Sequence, residues 1–333
     1  MPSHLRRATV RALAKINLSL RVLHKRPDGY HELRTLFQTI SLADQLEISC
    51  RRAPRTSVQV TSSVEIPGEN LADRAARMVL EELRVTAQVR IHIDKRIPLG
   101  GGLGGGSSDA AAVLLALPPL TGAAIGEARL GELAAQLGSD VPFLLMGGTA
   151  AARGRGDQLA PVAGGKAPMK ARYVLLGAPP RAVATPQAYR ALKRGLTSRD
   201  APFKMKEFQS LVRVLECPEP DDRWQAFCHN DFEAAVFPQH PQVKFLQRRL
   251  AELEATLARM SGSGSAVFGV FSSRERMMRA RRALLAEWQG LRIERVGFVS
   301  RREFRAAYRK ALAPHIKERI WPPVSRYAPP TNA

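Results

Sequence analysis

Six of the seven residues at positions 100–106 are glycine, and this segment constrains the fold more than any other feature of the chain. Before it, Val89, Ile91 and Ile93 alternate with polar residues, a period of two that predicts a strand. After it, an alanine-rich stretch at 107–117 predicts a helix. Glycine permits positive φ and close approach of the backbone, and a helix start offers unpaired N–H groups. A strand, this glycine loop and a helix in that order therefore predict a phosphate-binding loop.

Three common nucleotide-binding loops do not fit the surrounding residues. A Walker loop needs lysine after its last glycine, where this chain has Ser107. The spacing of Gly100, Gly102 and Gly105 satisfies the dinucleotide pattern, which also needs an acidic residue at the end of a second strand about 20 positions later. Here the acidic residues at that distance lie in a segment predicted as helix. Protein kinases follow their loop with a strand rather than with an alanine-rich helix.

The length of the chain predicts two domains, because its 333 residues exceed the roughly 250–300 at which a single core stops growing. Composition turns to proline, glycine and alanine at 161–168. We therefore predict an N-terminal domain at 1–165, a C-terminal domain at 166–312 and a basic, proline-rich tail at 313–333. The patterns predict strands at 14–22, 36–40 and 45–49 and helices at 70–83, 107–117, 127–137 and 241–260.

Several features that the sequence lacks limit where the protein can be located and which partners it can have. No apolar run approaches the roughly 20 residues that span a bilayer, and no signal-peptide core precedes the first strand. Cys50, Cys217 and Cys228 form no CxxC pair, which argues against a disulfide framework or a zinc site. We expect a cytoplasmic protein without a membrane partner.

Basic residues outnumber acidic ones by 51 to 30, which gives a formal net charge of +21. A basic face would attract nucleic acid, and a positive field would equally suit a polyanionic small molecule. The basic residues are scattered, and with five Tyr and three Trp there is little of the basic–aromatic interleaving that serves base stacking. This distribution argues against nucleic acid as the main partner.

The glycine loop is one of several motifs that follow one another in a characteristic order. PLGGGLGGGSSDAA resembles the second motif of the GHMP kinases, the superfamily of galactokinase, homoserine kinase and mevalonate kinase. SGSGSAVF at 261–268 is similar to the third motif, and AKINLSL at 14–20 is similar to the first strand of one branch. That branch is also resembled by RPDGYHELRTLFQ at 26–38, LGSDVPFLL at 137–145 and NDFE at 230–233. Its phosphate acceptor is a cytidyl diphosphate of methylerythritol, in the non-mevalonate route to isoprenoids.

The resemblance implies an α+β fold of two domains with the active site in the cleft between them. The N-terminal domain would contain a left-handed βαβ unit, against the usual right-handed rule, and the C-terminal domain would be ferredoxin-like. The implied reaction transfers phosphate from ATP to a hydroxyl of the cytidyl diphosphate substrate, with Mg²⁺ as cofactor. The implied partners are these small molecules, bound by a monomer or a homodimer.

Lys15 and Asp140 are the catalytic residues that the resemblance implies. Taken alone, Lys15 would be a solvated lysine on the polar face of a strand, and Asp140, which precedes Val141 and Pro142, would be a helix cap. In the family, this lysine reaches into the active site and this aspartate accepts the proton of the acceptor hydroxyl. A carboxylate and an ammonium beside one nucleophile suit phosphoryl transfer, which depends on positioning and charge neutralisation.

The resemblance also assigns binding residues, while metal ligands stay undetermined and NDFE is explained as well by a capping box. The ATP-binding residues are Pro98, Leu99, Gly100, Gly101, Gly102, Leu103, Gly104, Gly105, Gly106, Ser107 and Ser108, with Lys95 and Asn70 near the nucleotide base. The substrate-binding residues are Asn17, Tyr30, His31, Phe37, Thr185 and Tyr189. Tyr30 would stack on the cytosine, His31 would read the base edge and Phe37 would form a wall. Tyr189 would lie on the other side of the base.

Three other functions compete with this interpretation. Another GHMP kinase would act on a plain alcohol such as homoserine or a mevalonate, and the DGYH segment argues against it. A basic RNA-binding protein would bind RNA tightly without turning over ATP. A dinucleotide-dependent oxidoreductase would bind a nicotinamide cofactor.

Overall fold

Two β-sheets, each with helices packed against it, build the protein. The structure is a computed structural model, and it describes residues 4–162, 173–180, 183, 185–192, 223–316 and 321–322. Its described strands are β1 (Arg6–Lys25), β2 (His31–Arg52), β3 (Ser57–Ser62), β4 (Ala87–Asp94), β5 (Thr149–Arg153), β6 (Gln158–Pro161), β7 (Val174–Ala178), β8 (Leu257–Met260), β9 (Val267–Val270) and β10 (Arg292–Val296). The predicted α+β class is confirmed.

The described helices fall between these strands and after the last of them. They are α1 (Leu71–Glu82), α2 (Gly105–Thr121), α3 (Glu127–Leu137), α4 (Val141–Met146), α5 (Thr185–Ala191), α6 (Arg223–Phe227), α7 (Phe232–Val236), α8 (Pro241–Glu252), α9 (Arg274–Glu287) and α10 (Arg301–Leu312). From Ser108 to its last residue α2 is buried, as its alanine and leucine content predicts. It therefore holds the glycine loop on a fixed support.

The N-terminal sheet has six strands and is organised around the long strand β2. Antiparallel β1 lies along one side of β2, while β4 and β5 pair with different halves of its other side. The order along the sheet is β3-β4-β2-β5-β6, with β1 on β2. β3 and β4 are parallel and joined through α1, which makes a βαβ unit. Its left-handedness stays a prediction.

The second sheet has four antiparallel strands in the order β10-β7-β9-β8. Counted along the chain, this order is fourth, first, third and second, with helices after the first and third strands. A βαββαβ chain with this arrangement is the predicted ferredoxin-like domain. A shared core of apolar residues joins it to the first sheet, and Ile16, Leu18, Phe268 and Val270 are among the residues buried there.

Three predicted elements differ from the observed ones. The strands predicted at 36–40 and 45–49 are parts of β2, because β1 pairs with β2 across most of its length. The helix predicted at 241–260 ends at Glu252, Glu254 adopts a φ of 66°, and the chain continues as β8. The apolar stripe of α8 thus continues into a buried strand, a change that periodicity alone does not reveal.

The predicted domain boundaries meet two findings. The boundary between 165 and 166 lies outside the described residues and stays a prediction. Helix α10, which was assigned to the C-terminal domain, packs on the N-terminal core instead: Phe304, Tyr308 and Leu312 are buried in that cluster. Its amphipathic sequence does not say which of two cores it will cover.

Many described surface arginines form ion pairs with neighbouring carboxylates, which spreads the positive charge rather than concentrating it. Examples are Arg77 with Asp73, Arg129 with Glu82 and Glu132, and Arg249 with Glu252 and Glu287. Exposed pairs of this kind contribute little stability, typically about 0–1 kcal/mol. Across the described part of the chain, the helices are too short or too polar to span a bilayer.

Candidate active site

Segments that are distant in sequence meet at the glycine loop. β1 contacts it through the backbone, because the N–H of Lys15 donates to the carbonyl oxygen of Leu103 at 3.0 Å. The segment 261–265, named here the serine–glycine loop, reaches it from the second sheet. The Ser261 hydroxyl donates to the carbonyl oxygen of Gly102 at 3.0 Å. Both sheets therefore contribute to one site in the cleft.

Two positions of the glycine loop require glycine for a structural reason. Gly102 has a φ of +72°, and a Cβ there would overlap the carbonyl oxygen of Ser261. Gly104 has a φ of +73°, and its Cβ would lie 3.2 Å from the Cγ of Lys15 and 3.1 Å from a methyl of Leu144. Side chains rarely adopt this backbone region, and the space is already filled.

The N-terminus of α2 follows directly and offers an anion site. Gly104 is the N-cap residue and has no side chain to cap the first N–H groups. Gly106 is exposed, and Ser107 is partly exposed beside it. Amides at a helix start and the helix dipole favour negative charge, which suits the phosphates of a nucleotide.

Lys15 and Asp140 form an ion pair beside this loop. The Nζ of Lys15 lies 3.2 Å from an oxygen of Asp140 and donates to the Oδ1 of Asn17 at 2.7 Å. It also lies 5.4 Å from the ring centroid of Phe37. The Lys15 side chain is 4% exposed and that of Asp140 is 32% exposed. The pair thus combines a fixed ammonium with a carboxylate that faces the cleft.

The geometry decides against the simpler role of each residue. Lys15 is buried and has polar partners, so it is not a solvated strand lysine. Asp140 occupies the N-cap position of α4, but its side chain makes no capping hydrogen bond. Its carboxylate is turned toward Lys15 instead.

Two predicted substrate residues are buried supports rather than pocket walls. Asn17 is 2% exposed and, besides accepting from Lys15, donates to the hydroxyl of Thr35 at 2.7 Å. Phe37 is also 2% exposed and stacks on Phe143 with ring centroids 4.7 Å apart. Both residues contact the Lys15 side chain and help to hold it in place. Asn17 lies on β1 together with Lys15, and Phe37 lies on the paired strand β2.

Four predicted ATP residues use their side chains within the protein. Lys95 is 2% exposed in its side chain and is bound to carboxylates of the core. Ser108 donates to the carbonyl oxygen of Leu13 at 2.7 Å, and Leu103 is buried. Asn70 caps α1 by accepting from the N–H of Ala72 at 2.9 Å. The side chains of Lys95, Ser108 and Leu103 are therefore enclosed by the protein, whereas Asn70 stays partly exposed.

The remaining predicted ATP residues lie on the open side of the loop. Leu99, Gly100 and Gly106 are exposed, and Leu99 keeps 43% of its surface accessible. Other positions are partly accessible, namely Pro98, Gly102, Gly104, Gly105 and Ser107, whereas Gly101 is buried. The loop thus presents backbone and small side chains to the cleft.

Three of the aromatic residues predicted to form the base pocket, namely Tyr30, His31 and Tyr189, are named here the aromatic region. Tyr30 is 54% exposed, and the guanidinium carbon of Arg155 lies 4.9 Å from its ring centroid. His31 stacks on Tyr189 with centroids 4.9 Å apart and planes 27° apart. A base cannot enter between rings at that separation, so His31 occupies the face of Tyr189 that was predicted for cytosine.

The charges of the aromatic region suit recognition of a neutral base. Burial, followed by the nearby positive Lys25, lowers the pKa of His31 below its ordinary value. A neutral imidazole has one donor and one acceptor nitrogen. Burial, followed by the negative charge of Asp140, raises the pKa of Tyr189 to about 12. Tyr189 is therefore a neutral phenol near neutral pH.

Supports of the serine–glycine loop were missed as site residues. Asn230 donates to the carbonyl oxygens of Met260 and Gly262 at 2.8 Å each, and Glu233 accepts from the N–H of Met260 at 2.9 Å. Burial raises the pKa of Glu233. The NDFE motif was the available signal. Glu233 accepts from Met260 and so does not complete a capping box, while the Oδ1 of Asn230 accepts from the N–H of Phe232 at the start of α7.

Thr185 contacts the serine–glycine loop from the segment that follows β7 of the same sheet. Its hydroxyl lies 2.9 Å from that of Ser263, within hydrogen-bond distance. It is the residue at which α5 begins, and α5 also carries Tyr189. The predicted substrate residues Thr185 and Tyr189 are thus brought to the cleft on one short helix.

The donor groups fit Mg²⁺ only in one mode of binding. Searched over the described residues, the chain has no group of three His, Cys, Asp or Glu side chains that would enclose a metal. Mg²⁺ bound with a nucleotide takes most of its ligands from phosphates and water and one or two from carboxylates. The partly exposed carboxylate of Asp140 at the glycine loop fits that mode.

Comparisons with known proteins show which family the chain resembles. The sequence profile of the GHMP kinases N terminal domain matches residues 70–148, and that of the GHMP kinases C terminal matches residues 205–290. A 4-diphosphocytidyl-2-C-methyl-D-erythritol kinase of Solibacter usitatus is 48% identical over 328 residues, which cover 97% of this chain and 99% of the relative. One of Pelotomaculum thermopropionicum is 42% identical and covers 80% of this chain and 90% of its own.

Solved structures give the same result for the fold. A crystal structure of 4-(cytidine 5'-diphospho)-2C-methyl-D-erythritol kinase superposes with a TM-score of 0.68 at 36% identity, covering 87% of this chain and 98% of that one. Homoserine kinase from Cytophaga hutchinsonii superposes with a TM-score of 0.69 at 20% identity, covering 88% and 95%, and shows likeness of fold alone. The chain belongs to the GHMP kinases, in the family of the 4-diphosphocytidyl-2-C-methyl-D-erythritol kinases.

Proposed function

We propose that this protein transfers the γ-phosphate of ATP to a hydroxyl of 4-diphosphocytidyl-2-C-methyl-D-erythritol. The products are the 2-phosphate of this acceptor and ADP. The observation that carries the proposal is the Lys15–Asp140 ion pair, 3.2 Å long, beside an uncapped helix start and a glycine loop. The choice of substrate rests on the relatives, whose names specify it at 48% and 42% identity.

Asp140 is assigned the role of proton acceptor. As the acceptor oxygen bonds to the γ-phosphorus, its O–H bond breaks, the proton passes to the carboxylate, and the bond between the γ-phosphorus and the ADP oxygen breaks. A carboxylate that faces the cleft and is not engaged in capping suits this step. General-base catalysis contributes typically about 10²–10⁴-fold to the rate.

Lys15 is assigned the stabilisation of charge that develops during the transfer. Its ammonium is held by Asn17 and Asp140 before substrate arrives, so little reorganisation is needed. The backbone of the glycine loop and the start of α2 would hold the phosphates. Mg²⁺, held by the phosphates with Asp140, would neutralise phosphate charge.

The aromatic region is assigned the cytosine. Tyr30 is exposed enough to offer a face to the base, and a neutral His31 offers a donor and an acceptor to the base edge. Because His31 now stacks on Tyr189, binding of the base between Tyr30 and Tyr189 requires these rings to move apart. A cytoplasmic location and a monomeric or homodimeric state remain predictions from the sequence.

A coupled assay of ADP formation tests the proposal. We expect ATP turnover with 4-diphosphocytidyl-2-C-methyl-D-erythritol and only background turnover with homoserine or mevalonate. Cytidine 5'-diphosphate should compete with the acceptor and not with ATP. Turnover that is equal with a plain alcohol, or that cytidine diphosphate does not inhibit, would contradict the assignment of the acceptor.

A further inference from the structure

Three charged side chains are buried together beneath the glycine loop. The Nζ of Lys95 donates to the Oδ2 of Asp44 at 2.5 Å and to the Oδ2 of Asp109 at 2.9 Å. The side chains are 0–3% exposed. These residues, named here the buried triad, come from β2, from the segment after β4 and from α2, so they link β2 to the two segments on either side of the loop.

Asp44 fixes the chain where it leaves β4 toward the loop. Besides pairing with Lys95, its Oδ1 accepts from the N–H groups of Arg96 at 2.6 Å and Ile97 at 2.7 Å. Lys95 fills the space beneath the far end of the loop, because a Cβ on Gly105 would lie 3.2 Å from its Nζ. The triad therefore supports the loop at both of its ends.

Asp109 differs from Asp44 in how its oxygens are satisfied. Its Oδ1 is buried and has no hydrogen-bond partner among the described residues. Two carboxylates share one ammonium, so the triad carries one net negative charge when all three groups are ionised. An uncompensated negative charge in the second turn of α2 opposes the attraction that the start of this helix exerts on phosphate.

We propose that the buried triad is a positioning device for the glycine loop, in which the charge of Asp109 sets the affinity of the loop for a nucleoside triphosphate. Asp44 and Lys95 hold the loop, and Asp109 is the adjustable member. With Asp109 protonated the triad is neutral and phosphate binds more tightly. With Asp109 ionised the triad is negative and phosphate binds more weakly.

The surroundings of Asp109 place its change of charge in the neutral pH range. Burial is the main cause that raises the pKa of Asp109 to about 7, and Lys95 and Asp44 act on it in opposite directions. Of the elements packed nearby, β2 presents Asp44, the segment after β4 presents Lys95, and α10 presents the buried hydroxyl of Tyr308. Affinity for ATP should therefore fall as the pH rises through about 7.

The test is a titration with a non-hydrolysable ATP analogue, without acceptor, from about pH 6 to about pH 8. We expect the Kd of the wild type to rise about three- to tenfold relative to that of Asp109→Asn, the scale for one buried charge acting on phosphate. Ionisation of the nucleotide itself cancels in this ratio. Asp94→Asn, which removes a half-exposed carboxylate beside Lys95, is the matched control and should follow the wild type.

Steady-state kinetics separates positioning from a purely structural role. Asp44→Ala should raise the KM for ATP about tenfold with kcat nearly unchanged, because it removes the acceptor of the Arg96 and Ile97 N–H groups before the loop and leaves the Lys15–Asp140 ion pair intact. A Kd ratio that stays constant across the pH range, or a lower melting temperature with no change of ATP affinity in either variant, would overturn the proposal. The inference uses ATP from the proposed function but not its acceptor, so a different acceptor would leave this test valid.

Discussion

The ion pair with its glycine loop and the aromatic region differ in how far they are organised before ligands bind. Lys15 is buried and held by Asn17, which in turn is held by Thr35. Tyr30, in contrast, is half-exposed, and its ring contacts the partly exposed Arg155. Rate acceleration depends on preorganised charge, whereas recognition of a base tolerates rearrangement. The rigid packing is therefore found around the residues of the transfer step.

The largest effect should come from the ion pair. Asp140→Asn keeps the shape of the side chain, removes the proton acceptor and should lower kcat by about 10²–10⁴ while ATP and acceptor still bind. Lys15→Ala should lower kcat by a similar factor, because its charge acts in the transition state. The double variant should be scarcely slower than the poorer single one if they act as a unit. Single-turnover kinetics with both affinities measured checks this, and near-normal turnover of Asp140→Asn would remove Asp140 from the mechanism.

Next in size should be the effect of a side chain on the glycine loop. Gly104→Val places a β-branched residue at positive φ, which costs about 1–3 kcal/mol, and drives it against Lys15 and Leu144. We expect the KM for ATP to rise ~100-fold, with a smaller effect on the cytidyl substrate. Gly106→Ala is the control, since a Cβ there meets nothing within 4 Å. Equal effects of the two substitutions would show that the tight geometry of the loop is unimportant.

A smaller loss is expected in the aromatic region. Tyr30→Ala should weaken the cytidyl substrate by about 1–3 kcal/mol, the scale for one base–aromatic stack, and should spare ATP. Tyr30→Phe keeps the ring and should bind nearly as well as the wild type. Calorimetric titration of each variant with both ligands measures the difference. Comparable damage to ATP binding would mean that the base pocket lies elsewhere.

The smallest effect should come from Arg155, which is partly exposed and paired with Asp157. Its stack on Tyr30 is worth about 0.5–1 kcal/mol, and its positive charge beside the ring would attract an anionic diphosphate. Arg155→Ala should therefore raise the KM for the cytidyl substrate about two- to fivefold and leave that for ATP unchanged. Tighter binding by the variant would instead show that the guanidinium competes with the base for the face of Tyr30.

The family comparison changes how the C-terminal tail is understood. The sequence alone assigns no role to the basic, proline-rich segment at 313–333. The relative from Solibacter usitatus aligns with 97% of this chain, and the remaining 3% is shorter than this segment. At least part of the tail is thus shared with a relative. Trp321 is buried against the N-terminal core, which gives this part of the chain a packing role.

How much could be predicted differs from one kind of residue to another. Motifs that depend on backbone conformation were found, because glycine at Gly102 and Gly104 is a requirement written into the residue type. The ion pair was also found, since its two residues lie in recognisable segments. The burial of Lys95, Asn17 and Phe37 was not foreseen, because whether a side chain faces a cleft or a core depends on partners that are remote in sequence. Their contacts with ligands stay predictions.

The sequence by itself determined the loop, the strand and helix on either side of it, and the chemical groups that the site contains, because periodicity and residue type act locally. Tertiary structure alone decided that Asp44 and Asp109 converge on Lys95. It also decided that α10 covers the N-terminal core. Each of these outcomes depends on burial, which excludes water from a charge or an apolar face only after distant segments have packed together.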